Sequence, residues 1–503
     1  MPKFDNKEAC GMARKQKKVI IESGQDRRDT GYYSTPNFVS EYIFNRLYEL
    51  KPSGTKVLDT CIGKGELSQP FIQNGMNITG VDIIDHSCDK IDSFFCCDYI
   101  ELYKNFKEGN SISDINYESF DFFIANPPYN CHEVDYIKDN KADLKNLFSD
   151  VGVHNMYSMF ISAMIDMAPK GAFLGLITLD SFLTSKAHKD LRRKILNNCK
   201  IHDIILCPTD LFLEQGADVR TCILILEKDC QGNNELVRVM NRCNNKEEFK
   251  KAIQSDLIET QNIDSIILSN PIDNNELLIG VPSDIKHMFN KKRISERFNC
   301  VTGISTGNDK KYIKNEPEEG FTIPFYKNPG SKKFYCKENG YIIDHFIDEN
   351  KNVKNFMVRN IPLVFKPGIT CSSMGVEFSA CYLPANSTFG VNANIICDES
   401  DIGWLLGYLN SNLVKYIVRG VLIRTNMVTS GYVSRIPVPE LNSVQKNELS
   451  TMARKAYSES KKLGKPNTST LDCINELVYD FCEISENSQN KINYFCDNIV
   501  KLT

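Results

Sequence analysis

Lys56-Val57-Leu58-Asp59-Thr60-Cys61-Ile62-Gly63-Lys64-Gly65 is the stretch on which the fold turns. Val57 and Leu58 open a short apolar run that ends in an acid, the pattern of a buried strand. Gly63 and Gly65 follow at once, and a helical pattern then runs from Glu66 through Ile72. Glycine lets backbone approach a ligand closely, and a helix N-terminus points N–H donors at it. With two glycines and no third, the spacing is not the dinucleotide fingerprint.

Working outward, Ile78-Thr79-Gly80-Val81-Asp82 reads as a second strand ending in an acid, about twenty residues on, a distance that suits the hydroxyls of a ribose. Phe94-Phe95-Cys96-Cys97-Asp98-Tyr99 supplies a third. The run Phe120 to Ala125 leads into Asn126-Pro127-Pro128-Tyr129. Four polar groups therefore fall along the carboxyl edge of one parallel sheet, where open α/β sheets bind ligands. The prolines fix φ and remove donors, so their carbonyls are free to face a ligand. Asn126 adds a side-chain acceptor and Tyr129 a flat ring for stacking. Together they suit a planar ring gripped through an exocyclic amino group. The bland alternatives are an ordinary strand-to-loop turn, and helix capping for Asp59 and Asp82.

These motifs, in this order, resemble those of S-adenosylmethionine-dependent DNA adenine N6-methyltransferases of the TaqI and Eco57I type, in which the cofactor motif precedes the catalytic motif and recognition comes last. The resemblance rests on Asn126-Pro127-Pro128-Tyr129, on Asp59-x-x-x-Gly63-x-Gly65, and on Thr30-Gly31-Tyr32-Tyr33-Ser34-Thr35-Pro36 upstream. Further support comes from the helix and strand patterns of Phe160–Thr178, Leu191–Leu196 and Thr221–Leu226. Motif order and spacing match over roughly the first 230 residues. Thr60 and Ile62 stand where the family more often has small residues.

The resemblance implies an α/β fold: a Rossmann-like methyltransferase domain with a mixed, mostly parallel sheet, then a β-rich or mixed target-recognition domain and a helical C-terminal segment. It implies S-adenosylmethionine as cofactor, S-adenosylhomocysteine as product and no required metal. Asp59 would face the methionine end of the cofactor, Asp82 the ribose and Asp98 the adenine amino group. Tyr33, Thr35 and Pro36 would close over the methionine carboxylate, and Cys61, Gly63, Gly65, Ile83, Tyr99 and Asn126 would complete the set. Asn126, Pro127, Pro128 and Tyr129 would be catalytic, acting on an adenine flipped out of double-stranded DNA. Tyr129 would stack on that base, with Phe212 as the second wall or else as plain core. Methyltransferases acting on RNA bases or on a protein glutamine share the tetrapeptide but usually lack a large following domain, and a catalytically inactive DNA-binding subunit is a further alternative.

The rest of the chain bears on partners. Of its 503 residues, net charge −4, the region 291–440 carries 19 Lys and Arg against 14 Asp and Glu. A DNA enzyme with negative total charge must concentrate its positive charge locally. Lys310, Lys311, Lys332 and Lys333 are candidate phosphate contacts, Arg419 a further DNA-binding candidate, and Arg424 beside Thr425-Asn426 is placed to read bases. Arg14-Lys15-Gln16-Lys17-Lys18 is a second basic stretch; short charge runs are most often solvated faces. Nineteen cysteines without a C-x-x-C, and no leader before Met1-Pro2-Lys3, point to reduced thiols in a cytoplasm, and Cys131-His132 lacks a companion cluster that would make it a metal site. No apolar run approaches the ~20 residues of a membrane span. The expected organisation is a basic N-terminal arm (1–30), catalytic domain (31–230), bridge (231–290), recognition domain (291–440) and helical segment (441–503). A monomer is expected, with a separate cognate restriction endonuclease as a candidate partner.

Overall fold

The computed structural model describes residues 33–86, 91–110, 115–129, 135–217, 219–229, 236–373, 377–423 and 427–499. The chain divides into two compact units between Ile267 and Leu268.

The first unit is built on a nine-stranded sheet: β1 Lys56–Asp59, β2 Asn77–Asp82, β3 Ser93–Cys96, β4 Phe122–Ala125, β5 Phe173–Leu179, β6 Cys199–Leu206, β7 Thr221–Lys228, β8 Leu236–Met240 and β9 Glu259–Asn262. Their order is β3-β2-β1-β4-β5-β7-β6-β8-β9. The five strands from β3 to β5 are parallel. β7 runs antiparallel between β5 and β6, so the sheet is mixed and mostly parallel, as expected. Val57, Leu58, Phe122, Phe123, Ile124, Leu174 and Leu176 are fully buried, because helices cover both faces of a parallel sheet and leave no polar side. The helix Asn37–Leu50 lays Val39, Ile43 and Leu47 onto the sheet at helical spacing. It comes so close to β5 that a Cβ on Gly175 would lie 2.7 Å from Ile43 and 2.8 Å from Leu47.

Two local expectations shift. The helix expected from Glu66 begins at Gln69, with Pro70 in its first turn. Residues 61–68 are instead a turn closed by Gly65 N–H on Ile62 O at 2.8 Å, with Gly63 at φ 52° and Gly65 at φ 82° in the left-handed region that favours glycine. Two strands, β8 and β9, come from within 231–290, the segment read as a bridge, and extend the first unit's sheet.

The second unit has an antiparallel sheet of four short strands, Asn299–Val301, Asn394–Ile396, Gly368–Cys371 and Ala380–Leu383, beside smaller strand groups. The helices Glu399–Leu409, Ser443–Leu463, Thr468–Phe481 and Glu486–Tyr494 share its main core. Trp404, Leu405 and Tyr408 are buried there with Leu449, Ala453, Ile474, Val478 and Ile492, so the helical C-terminal segment is part of that core. Among the described residues, no helix is long and apolar enough to cross a membrane.

Candidate active site at the carboxyl edge of the sheet

Between β1 and β4 the strand order reverses, since the chain leaves β1 toward β2 on one side and returns to β4 on the other. That is the topological switch point of an open α/β sheet, and ligands bind outside it. Asp59 ends β1 and Asp82 ends β2; Asp98 lies two residues beyond β3, and Asn126 directly follows β4.

Each polar group has local partners. Asp59 is 1 % exposed; it accepts from Ser68 Oγ at 2.7 Å and from the Cys61 amide at 3.3 Å. Its carboxylate turns inward and braces the glycine turn. Asp82 accepts from Gly63 N at 2.9 Å and Ile84 N at 3.1 Å, tying the turn to the end of β2. Ile83 beside it is 60 % exposed, an apolar surface at the sheet edge. Asp98 caps the helix Tyr99–Glu108 through the Ile100 amide at 2.8 Å and accepts from Tyr136 at 2.7 Å. Tyr99 is buried against Phe160 with ring centroids 5.0 Å apart, so it is a core residue rather than a surface for a ligand. Pro36 is the N-cap residue of Asn37–Leu50, its carbonyl accepting from Val39 N at 2.9 Å.

Burial raises the Asp59 carboxyl to about 7, opposed by the bonds from Ser68 and Cys61 and reinforced by Asp82 and Glu66. The folded value stands above the unfolded value of about 4, so folding favours the protonated acid. Its stabilising contribution is complete below pH 4 and is lost as pH rises through 7. Asp59→Asn keeps an acceptor for Cys61 and a partner for Ser68. Relative to the wild type it should gain on the order of 2 kcal/mol of stability as pH rises from 5 to 8. Thermal melts of both proteins across this range check this; parallel pH profiles would refute it.

The tetrapeptide is the best-connected part of the site. Asn126 Nδ2 donates to Tyr33 O at 2.7 Å and to Thr35 Oγ1 at 3.1 Å. Its Oδ1 accepts from the Tyr129 hydroxyl at 2.6 Å. The Tyr33 ring stacks on Tyr129 with centroids 5.5 Å apart and planes at 17°. Phe212, fully buried, lies 5.8 Å from Tyr33 and 6.3 Å from Tyr129, edge toward the latter. The three rings form one aromatic cluster, and Tyr33 covers one face of Tyr129.

Sequence reading did not find the bonds that join these pieces. Gln215, three residues after Phe212, pairs with both main-chain groups of Ser34, 181 residues away. Nothing local in the sequence marks such a pairing.

In the second unit, Lys310, Lys311 and Lys332 are exposed. Lys333 is largely covered and pairs with Glu377 at 3.5 Å, as does Lys415. Arg419 is 3 % exposed within Ile417–Leu422, so the guanidinium expected on a DNA surface is buried there instead. Val418, Val421 and Leu422 around it are core residues and carry it inward. Arg424, with Thr425 and Asn426, lies outside the described residues, as do the arm 1–30, Thr30-Gly31-Tyr32 and Cys131-His132.

Comparison with known proteins agrees with this architecture. Type II methyltransferase M.PstI of Providencia stuartii is 26 % identical over 197 residues, 35 % of this chain and 38 % of that protein. Type II methyltransferase M.BsuBI of Bacillus subtilis is 25 % identical over 201 residues, 35 % and 39 %. The matches thus span under two-fifths of these relatives' length. The Type IIL restriction-modification enzyme MmeI, solved in complex with DNA, superposes with a TM-score of 0.58 at 12 % identity, covering 95 % of this chain and 79 % of that one, a likeness of fold. Residues 22–271 match the profile named N-6 DNA Methylase. That region, which carries the switch point, the glycine turn and Asn126-Pro127-Pro128-Tyr129, belongs to the N-6 DNA methylase family.

Proposed function

We propose that this chain methylates the N6 amino group of an adenine in double-stranded DNA, using S-adenosylmethionine, within a restriction-modification or related system. The observation that carries the reading is the held Asn126 carboxamide beside Tyr129 at the end of β4, next to the glycine turn of β1. The lone pair of an adenine amine is delocalised into its ring, so the amine is a poor nucleophile. Asn126 Oδ1 and the Pro127 carbonyl accept its two hydrogens and let the nitrogen become pyramidal, with its lone pair free to react. Positioning supplies most of the catalysis, and no strong base acts before transfer.

The residues fit the cofactor. The turn 61–65 brings backbone to the switch point, Asp82 retains lone pairs for vicinal hydroxyls, and exposed Ile83 offers an apolar face for a flat ring. When bound, S-adenosylmethionine supplies an electrophilic methyl on a sulfonium that is already a good leaving group. The target base is inside the duplex and has to be rotated out; Tyr129 is the ring that receives it, backed by the buried Phe212 packed against it. A base stacking on the covered face of Tyr129 displaces the Tyr33 ring. The second unit is assigned the choice of DNA sequence, with Lys310, Lys311 and Lys332 on phosphates.

The test is sequencing of DNA, with detection of modified bases, from cells that express the protein and cells that do not. N6-methyladenine in one recurring context is expected. A folded protein that leaves DNA unmodified and labels RNA or a protein glutamine instead overturns the substrate. A chain ending at Ile267 that binds cofactor and still modifies that single context removes the reader role from the second unit.

A further inference from the structure

A carboxamide has two ends of similar shape and opposite behaviour. The oxygen of Asn126 accepts a hydrogen from an amine; its nitrogen, turned to the same place, sets N–H against N–H. Whatever fixes the rotation of this group therefore decides whether the site works. Tyr33 O, 2.7 Å away, is a backbone carbonyl and only accepts, so the atom facing it is the nitrogen. Thr35 Oγ1, at 3.1 Å, takes the second hydrogen. Both N–H groups are thus engaged on one side and Oδ1 is sent to the other, where Tyr129 donates to it.

The short segment that provides these acceptors is itself held from a distance. Gln215 Nε2 donates to Ser34 O and its Oε1 accepts from Ser34 N, both at 2.8 Å, so the side chain pairs with Ser34 as a neighbouring strand would. Gln215 ends the turn Leu213–Gln215 that directly follows Phe212. The loop carrying Phe212 therefore also sets the register of the segment that orients Asn126.

We propose that Thr35 and Gln215 are positioning residues for methyl transfer. Gln215 holds Tyr33–Thr35 against the end of β4, and Thr35 with the Tyr33 carbonyl locks the Asn126 carboxamide with its oxygen toward the amino group. This gives Thr35 a task other than contact with the cofactor, and it rests on the amino-methylation reading above.

Thr35→Val keeps the shape of a buried side chain and removes the acceptor; Thr35→Ser keeps the acceptor. Three quantities are measured on the full chain: the single-turnover methylation rate at saturating DNA and S-adenosylmethionine, the cofactor Kd, and hydrogen exchange of the Asn126 side-chain NH2 in 15N-asparagine-labelled protein, its signal assigned by Asn126→Asp. For Thr35→Val the saturated rate should fall about tenfold, as for one lost hydrogen bond. Cofactor Kd should stay within about twofold, the Asn126 NH2 should exchange faster, and Thr35→Ser should restore both the rate and the protection. Gln215→Ala should move rate and exchange in the same direction. A Thr35→Val protein with wild-type saturated rate, or one whose loss is cured by more cofactor, overturns the proposal. The exchange readout needs no turnover. A wild type that methylates no DNA defeats the functional reading, while protection of the Asn126 NH2 that does not depend on Thr35 defeats the lock itself.

Discussion

Asn126→Ala should lower methyl transfer by about three orders of magnitude or more while leaving cofactor affinity nearly unchanged. The size follows from where the carboxamide acts. In the mechanism proposed above, its oxygen interacts with the amine most strongly as the nitrogen becomes pyramidal, so its loss falls on the transition state and not on the ground-state complex. Stability should change far less than activity: Asn126 is only partly buried, although its partner Thr35 is buried. Tyr129 divides into two parts here. Stacking needs the ring alone, but the hydroxyl also donates to Asn126 Oδ1 at 2.6 Å. Tyr129→Phe should therefore fall between wild type and Tyr129→Ala. Single-turnover rates with calorimetric cofactor binding on the same preparations settle the matter. If Asn126→Ala lost cofactor affinity and kept its saturated rate, Asn126 would be a binding group and not a catalytic one.

The strands that build this site were legible because they are buried on both faces. Val57-Leu58 and Phe122 to Ala125 are short, wholly apolar runs, each ended by a polar residue, and Ile78 to Val81 departs from this only at the half-buried Thr79, which is the pattern of a covered parallel sheet. The edge strand β9, Glu-Thr-Gln-Asn, contains no apolar residue and carries no period-two signal, so only its pairing with β8 reveals it. The start of the helix after the glycine turn was displaced by three residues because two left-handed glycines and Pro70 outweigh the apolar spacing from Glu66. Side-chain bonds across long separations were not legible at all. Ser34 with Gln215 and Tyr42 with Asp203 are pairs that only the folded sheet brings together. Arg419 shows the opposite error: counting charge placed it on the surface, while its neighbours Ile417, Val418, Val421, Leu422 and Ile423 already argued for burial.

The second unit holds a more consequential group of buried charges. The side chains of Asp273, Glu276 and Arg293 are fully buried and that of Arg435 nearly so. Arg293 Nη2 lies 2.7 Å from Asp273, Arg435 Nη2 lies 3.0 Å from the other oxygen of Asp273, and Arg435 Nη1 lies 2.7 Å from Glu276. Two cations and two anions thus join the loop after Leu268, the segment before Ile294 and the closing run Arg435-Ile436-Pro437. Desolvating four charges is costly, so such a group adds little net stability when complete but is damaging when one member is removed. Asp273→Ala strips Arg293 of its carboxylate and takes from Arg435 one of two, and should cost about 3–5 kcal/mol. Arg293→Met should cost clearly less, since Asp273 keeps Arg435 and the methionine refills the space over the Phe289 ring, which the guanidinium now covers at 4.7 Å. Trp404 is the chain's one tryptophan and is fully buried in this unit's core, so its fluorescence during denaturant unfolding reports on this unit. An Asp273→Ala midpoint no lower than that of Arg293→Met would mean that Asp273 is not the hub, and that the two arginines are held by packing rather than by charge.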